Sequence, residues 1–422
     1  MKRGKLTLAL LAITLAFAGV SGSGWGADNS GEVPWVKPPS PIEQLTGGKV
    51  HTGDTITAQN VDLVAPYLLD SFVSDIKDGA TITIAPTDPT SLLLADSIIK
   101  ATVANADKAD IAADGTVKTK DGKAWIGGFP AEFPKTAIEV MANSTYQYLD
   151  QNDNTGDELW INPEGKAYKN VTGAVGEYYM NGRTCTAPLG AVPGYEDEFR
   201  RDLIYDVAPY DVKGVAVLTV EYVDQSKLPD AWGYIPVLRR VQRLSSAQRY
   251  DSVDGSDLRA GDLNGFSDPL AFWNYRLIAR KPMLFPISPG YPHPEKGVAN
   301  LKLIKGKYPE GMKMEVRDVY IIETTPKDSS YIYSKKILEI DAGTYLSLGD
   351  FYDKQGKLWI AFEPFFTPYT CPCGGNAWPL AYIFRNFQTG SVTYNAVWQW
   401  GPDDPKTTID KYTLHYISSQ SR

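Results

Sequence analysis

The chain has 422 residues, a formal net charge of −8 and 12% aromatic residues. A negative balance gives no positive field for general binding to nucleic acid or to anionic membranes. The 25 tyrosines and 10 tryptophans favour β structure over a helical bundle, in a chain long enough for one large β domain with additions or for two to three ordinary domains.

Lys2, Arg3 and Lys5 precede an uncharged run from Leu6 to Val20, and small residues follow through Ala27. This predicts a secretory signal peptide over 1–26, since the run is shorter than the roughly 20 residues of a membrane span. The mature protein is expected to be soluble and exported. Residues 27–50 carry Pro34, Pro38, Pro39 and Pro41 and read as a Pro-rich extended arm or a flexible tail.

Residues 51–150 read as helix-rich. Val61, Val64, Leu68, Phe72 and Ile76 stand at helical spacing and predict a helix over Ala58–Lys77. A short strand at Thr81–Ile84, a helix over Ser91–Asn105 and a third over Thr136–Leu149 follow. From 151 to 422 the pattern changes to strands, expected as one domain with 51–150. They are placed at Glu158–Ile161, Lys166–Val171, Leu203–Val207, Val215–Tyr222, Tyr275–Ala279, Met283–Ile287, Met314–Thr324, Lys336–Ile340, Tyr345–Tyr352, Lys357–Phe362, Ser391–Trp400 and Tyr412–Ile417. At the centre lies a hairpin, Asp230–Leu244. Trp232 and Tyr234 stand two apart, Val241 and Arg243 likewise, and Pro236 ends the first arm because it has no N–H for a ladder. Hairpins closed in sequence by Pro or Gly build an antiparallel meander, and one this long must curl or hide its edges.

Catalytic patterns are thin: His51, His293 and His415 stand apart from any nucleophile elbow or H-E-x-x-H motif. The protein is therefore read as non-enzymatic, with no cofactor and no metal. Oxygen-rich stretches at Asp150–Asp157 and around Asp251, Asp254, Asp257 and Asp262 raise calcium, but solvated turns explain both. Cys185, Cys371 and Cys373 predict a disulfide from Cys185 to one of the pair, against a metal-site reading of C-x-C. Arg239, Arg240 and Arg243, with Arg249 beyond, suit either ion pairs with the aspartates of the next loop or an anionic head group. Phe272, Trp273 and Tyr275, like Trp398 and Trp400, suit a core, a cavity wall or a sugar platform.

The hairpin residues Trp232, Tyr234, Pro236, Arg239, Arg240, Val241, Arg243 and Leu244 resemble the W-x-Y-x-P-x-x-R-R-V-x-R-L motif of a periplasmic family of unassigned function related to the LolA/LolB outer-membrane lipoprotein carriers. Gly127–Pro130, Asp318–Asp328, Tyr333–Asp341 and Phe351–Trp359 are similar to further segments of it. The resemblance implies a mainly β fold with α: a large curved antiparallel half-barrel whose concave face is covered by helices. It implies a carrier of a lipid or other hydrophobic molecule between inner and outer membranes. An inner-membrane resistance-nodulation-division-type exporter and an outer-membrane protein are the partners it suggests. The ligand-binding candidates are Trp232, Tyr234, Arg239, Arg240, Arg243, Phe272, Trp273 and Tyr275. A periplasmic carbohydrate-binding module and an accessory subunit of a membrane transporter are the alternatives.

Overall fold

The computed structural model describes residues 33–419 apart from 37, 89, 148–149, 246–248, 254, 288–297 and 299–300. The signal peptide, residues 27–32 of the arm, Leu149, Asp254 and His293 lie outside the described residues.

The N-terminal part is a set of short elements laid on the sheet. A turn of helix, Ile42–Leu45 (α1), and a two-residue strand, Thr55–Ile56 (β1), precede two 3-10 turns at Val61–Leu63 and Ala65–Tyr67. Only then does a regular helix form, Asp70–Lys77 (α2). The single helix expected over Ala58–Lys77 is broken because Pro66 disfavours the α conformation before it and Leu69 is extended, with ψ 157°. Ile82–Ile84 (β2) matches the expected short strand. The second helix runs over Asp96–Ala104 (α3), later than predicted. Leu92 and Leu94 go to different cores, a split that extended backbone makes and one helical stripe does not. A small hairpin, Ala109–Ile111 (β3) with Val117–Thr119 (β4), leads to Ala137–Thr145 (α4). Thr136 opens α4 with a capping box: its hydroxyl accepts from Glu139 N–H while the Glu139 carboxylate accepts from Thr136 N–H at 2.9 Å.

The rest is almost wholly antiparallel sheet. In chain order come Gln151–Ile161 (β5), Ala167–Tyr179 (β6), Asn181–Arg183 (β7), Gly190–Ala191 (β8), Glu198–Ala208 (β9) and Ala216–Tyr222 (β10). The central hairpin is Asp230–Ile235 (β11), a 3-10 turn at Pro236–Leu238, and Arg240–Leu244 (β12). Then follow Trp273–Ile287 (β13), Leu303–Ile304 (β14), Tyr308–Pro309 (β15), Met312–Pro326 (β16), Lys335–Asp341 (β17), Ser347–Tyr352 (β18), Leu358–Cys371 (β19), Gly374–Asn386 (β20) and Val392–Pro402 (β21). The chain closes with the helix Leu414–Ser419 (α5), where a strand was predicted. Tyr412 and Ile417 are buried in one core there, although five residues apart they would face opposite sides of a strand.

The large sheet has the order β1-β2-β16-β17-β18-β19-β20-β21-β5-β6-β9-β10-β11-β12, with β13 on the other edge of β16. Ile287 at the end of β13 bridges to Phe366 of β19, which links β13, β16, β17, β18 and β19 into a ring. The meander thus curls on itself at one end, as its length demands. Strands expected at Tyr275–Ala279 and Met283–Ile287 are one strand through Pro282. That proline is tolerated because β13 pairs on a single edge for most of its length.

Helices lie on both faces, not on one. Alternation sends neighbours on a strand to opposite sides: Ile383 joins the core beneath α2 (Phe72, Ile76), while Phe384 joins the core beneath α3 and α4 (Ile98, Val140, Met141). Following the ladders across β21, β5, β6 and β9 places α5 on the α2 side, over Leu203, Leu218 and Tyr234. Beneath α2 the face is also acidic. Arg385 pairs with Asp75 at 2.6 Å and Glu363 at 3.3 Å, Asp350 accepts from Ser71 N–H at 3.1 Å, and among the described residues neither carboxylate oxygen of buried Glu339 has a hydrogen bond. Burial pushes the Glu339 carboxyl well up, with Asp350 adding to the rise.

Cys185 is bonded to Cys373, with Cα atoms 5.6 Å apart, which resolves the choice left open by the sequence. The bond ties the loop after β7 to the tip of the β19–β20 hairpin. Cys371 is a buried free thiol whose pKa burial raises to about 11, so it is not a thiolate at neutral pH. Among the described residues no helix is long and apolar enough to cross a membrane.

Candidate functional site

The feature that most nearly answers the expected helix-covered hollow is a crevice between α4 and the sheet. Met141, Ser144 and Thr145 form its helical wall, Arg200 and Glu221 its floor on β9 and β10, and Phe266–Pro269 its rim. Its cavity volume is about 40 Å³. That holds a few waters and no acyl chain. Beyond it, Ile98 and Val140 lie buried against the sheet.

Two buried ion clusters shape the crevice. On the floor, the Arg200 guanidinium meets Asp202 at 3.0 Å, Glu221 at 3.1 Å and Glu177 at 3.4 Å, and donates to the Tyr179 hydroxyl at 2.9 Å. Cross-strand register brings these together, since Glu177 faces Asp202 and Glu221 faces Arg200. Burial pushes the Glu177 and Asp202 carboxyls up against the opposing pull of Arg200. At the rim, Asp268 accepts from Arg249 Nε at 2.8 Å, Trp273 Nε1 at 3.1 Å and the Tyr331 hydroxyl at 2.6 Å. Burial pulls the Arg249 guanidinium down, but Asp268 and then Glu221 more than offset it. Gln225 pins the rim by accepting from Leu270 N–H at 2.9 Å.

Behind the rim runs an aromatic wall. Trp273 packs edge-on against Phe266 (5.2 Å) and Tyr331 (4.7 Å), and Tyr333 lies 5.4 Å from Phe351. The wall continues through Tyr320, Tyr345, Phe362 and Phe384 beneath α3 and α4. Lys336 sits fully buried within it, donating to Asp262 at 2.8 Å and lying 4.4 Å from the Phe351 ring.

The eight candidate ligand residues separate into two places. Trp273 is buried in the aromatic wall, with Phe272 and Tyr275 packed against it; the Tyr275 hydroxyl donates to Leu270 C=O at 3.0 Å. Trp232 and Tyr234 pack instead in the core beneath α5. Arg243 is exposed and paired with Asp230, while Arg239 and Arg240 are exposed on the outermost hairpin. Of the four arginines considered from the sequence, Arg249 alone finds an aspartate of the following loop among the described residues. The floor residues Arg200, Asp202 and Glu221 were missed. Their signal was charge at alternate positions within a strand-like run, which one-sided burial turns into a cluster.

The acidic stretch Asp150–Asp157 is not a loop but the start of β5, paired to β6 and β21. Asp153 and Asp157 share a face of the extended strand but stand about 13 Å apart along it, so they do not converge on an ion. Among the described residues no group of three or more His, Cys, Asp or Glu side chains is placed to hold a metal.

No curated protein matches the chain. It is similar in structure to a putative outer membrane lipoprotein-sorting protein domain from Vibrio parahaemolyticus, at 17% identity and a TM-score of 0.47, over 66% of this chain and 97% of that one. A DUF1329 family protein from Desulfovibrio piger aligns at 17% identity and a TM-score of 0.45, over 64% and 92%. A LolA superfamily protein from Nitrosomonas europaea aligns at 14% identity and a TM-score of 0.42, over 67% and 100%. With a family match that runs from residue 55 to residue 420, the chain belongs to the family described as "Protein of unknown function (DUF1329)".

Proposed function

We propose that the protein is a non-enzymatic periplasmic carrier or chaperone of a lipid or other hydrophobic molecule. The observation that carries this reading is the aromatic face beneath α3 and α4. The side chains those helices lay on it are aliphatic, Ile98, Val140 and Met141. An acyl chain presents the same chemistry, so it can replace the helices on that wall without exposing the rings to water. At about 0.8 kcal/mol per CH₂, a sixteen-carbon chain needs roughly 12 kcal/mol of shelter, which an enclosed face supplies and scattered surface residues do not.

The crevice is too small for such a chain, so loading requires α4 to lift from the sheet. The seam where it would part carries a polar contact, Ser144 Oγ donating to Tyr345 C=O at 3.2 Å. Trp273, Phe272 and Tyr275 are then wall residues of the opened site, and the Asp268 and Arg200 clusters frame its mouth.

The test is extraction of the purified protein with organic solvent and mass spectrometry of the extract, paired with titration of a fluorescent fatty acid. Co-purified lipid, or saturable uptake that Val140→Asp abolishes while the fold is kept, is the expected result. No lipid and no uptake together overturn the reading.

A further inference from the structure

The sheet ends at β12, whose outer edge has no partner among the described strands. Because β9, β10, β11 and β12 are antiparallel neighbours, the β9–β10 turn and the β11–β12 turn emerge at the same end. They lie side by side: a Cβ on Gly214 would come 3.2 Å from Pro236 Cγ. These two turns carry the two most exposed large apolar side chains among the described residues, Tyr210 at 94% and Val237 at 90%. Leu238 and Ile235 beside them are 48% and 41% exposed. Isolated surface apolar residues need no explanation, but four on adjacent turn tips form a patch.

The backbone is shaped to present them. Arg239 takes a left-handed conformation, φ 50°, and its N–H donates to both Ile235 C=O and Pro236 C=O at 3.1 Å. For a residue with a Cβ that conformation costs about 1 kcal/mol, and it holds Val237 and Leu238 outward at the apex. Arg239 and Arg240 follow directly and are exposed, with no acidic partner among the described residues. Lys213 on the neighbouring turn adds a third cation against Asp211. The tip is convex, apolar at its apex and cationic just behind it.

We propose that these paired turns are a docking tip for the surface of an anionic phospholipid bilayer, with Val237, Leu238 and Tyr210 entering the interface and Arg239 and Arg240 on the phosphates. A fluid surface accepts a protruding convex tip without a matching cavity, and guanidinium groups suit phosphate oxygens. The chain's overall charge of −8 does not oppose this, since charges beyond about 10 Å from the contact are screened at 0.1 M salt. The inference stands whether or not the aromatic face holds a cargo.

The test is co-sedimentation of the purified protein with phosphatidylcholine vesicles, with and without phosphatidylglycerol. Binding is expected to the vesicles containing phosphatidylglycerol and to weaken as salt rises. Val237→Ser with Leu238→Ser is expected to lower partitioning about tenfold or more. Arg239→Asn, which keeps the left-handed turn, and Arg240→Gln are each expected to lower it about fivefold. Phe133→Ser, an exposed apolar site before α4, is expected to change it less than twofold, and circular dichroism is expected to match across all variants. The proposal is overturned by no sedimentation with phosphatidylglycerol vesicles, or by equal losses in the tip and Phe133 variants. Binding only when a membrane protein is reconstituted into the vesicles, insensitive to lipid charge, overturns it as well.

Discussion

Replacing Asp350 by Asn probes the acidic cluster beneath α2. Asp350 is fully buried on β18 and accepts from Ser71 N–H at 3.1 Å. Burial lifts its pKa from the ordinary 3.8 to about 7 against the Ser71 hydrogen bonds, with Asp70 and Glu363 adding to the rise. The native state therefore holds a proton that the unfolded chain has lost between about pH 4 and pH 7, so this group's contribution to stability is full below about pH 4 and is lost as pH rises through about 7. At about 1.4 kcal/mol per pH unit, the loss reaches up to about 4 kcal/mol above neutrality. Asn has the same shape, stays neutral and can still accept from Ser71 N–H. Urea denaturation of Asp350→Asn should show almost no change near pH 4 and a gain approaching about 4 kcal/mol near pH 8, with the urea m-value unchanged. An equal or lower stability near pH 8, or a gain of the same size at both pH values, would refute the reasoning, because Asp350 would then be ionised and well satisfied in the native state.

Cys185→Ala opens a closure of 188 residues and should cost about 2–5 kcal/mol in urea unfolding under non-reducing conditions, with no further loss on adding reductant. Asp268→Ala strands the Arg249 guanidinium and orphans the Tyr331 hydroxyl and Trp273 N–H, so a loss of about 3–5 kcal/mol is expected, whereas removing exposed Arg243 should change stability by less than about 1 kcal/mol. Gly128 has φ +78°, and a Cβ there would lie 2.3 Å from Thr102 N of α3; Gly128→Ala should therefore destabilise by more than about 2 kcal/mol and loosen hydrogen exchange in α3 first.

Much of the antiparallel plan is visible in residue order because hairpins are local. Trp232 pairs with Arg243 and Tyr234 with Val241 across the turn that Pro236 begins, as the two-residue alternation implies. The elements that were misread are those whose conformation answers to distant partners. Gln151–Asp157 looks like a polar loop, yet it is a strand because β6 and β21 bind both its edges, and Gln151 accepts from Arg183 at 2.9 Å. β20 begins Gly374-Gly375-Asn376, a turn by composition, and becomes strand only against β19. Of the candidate site, the Phe272–Tyr275 segment was placed on the aromatic face, whereas Trp232 and Tyr234 went to another core beneath a helix that read as a strand.

Alternation of side chains and the placement of Pro and Gly were enough, without coordinates, to define a long antiparallel meander with short helices ahead of it, because both act over a few neighbouring residues. Which side of the sheet each helix covers, which carboxylate answers each buried arginine and how small the crevice is came only with the folded chain. Those depend on strand register and curl, which bring Asp75 to Arg385 and Asp262 to Lys336 across separations that no local pattern encodes.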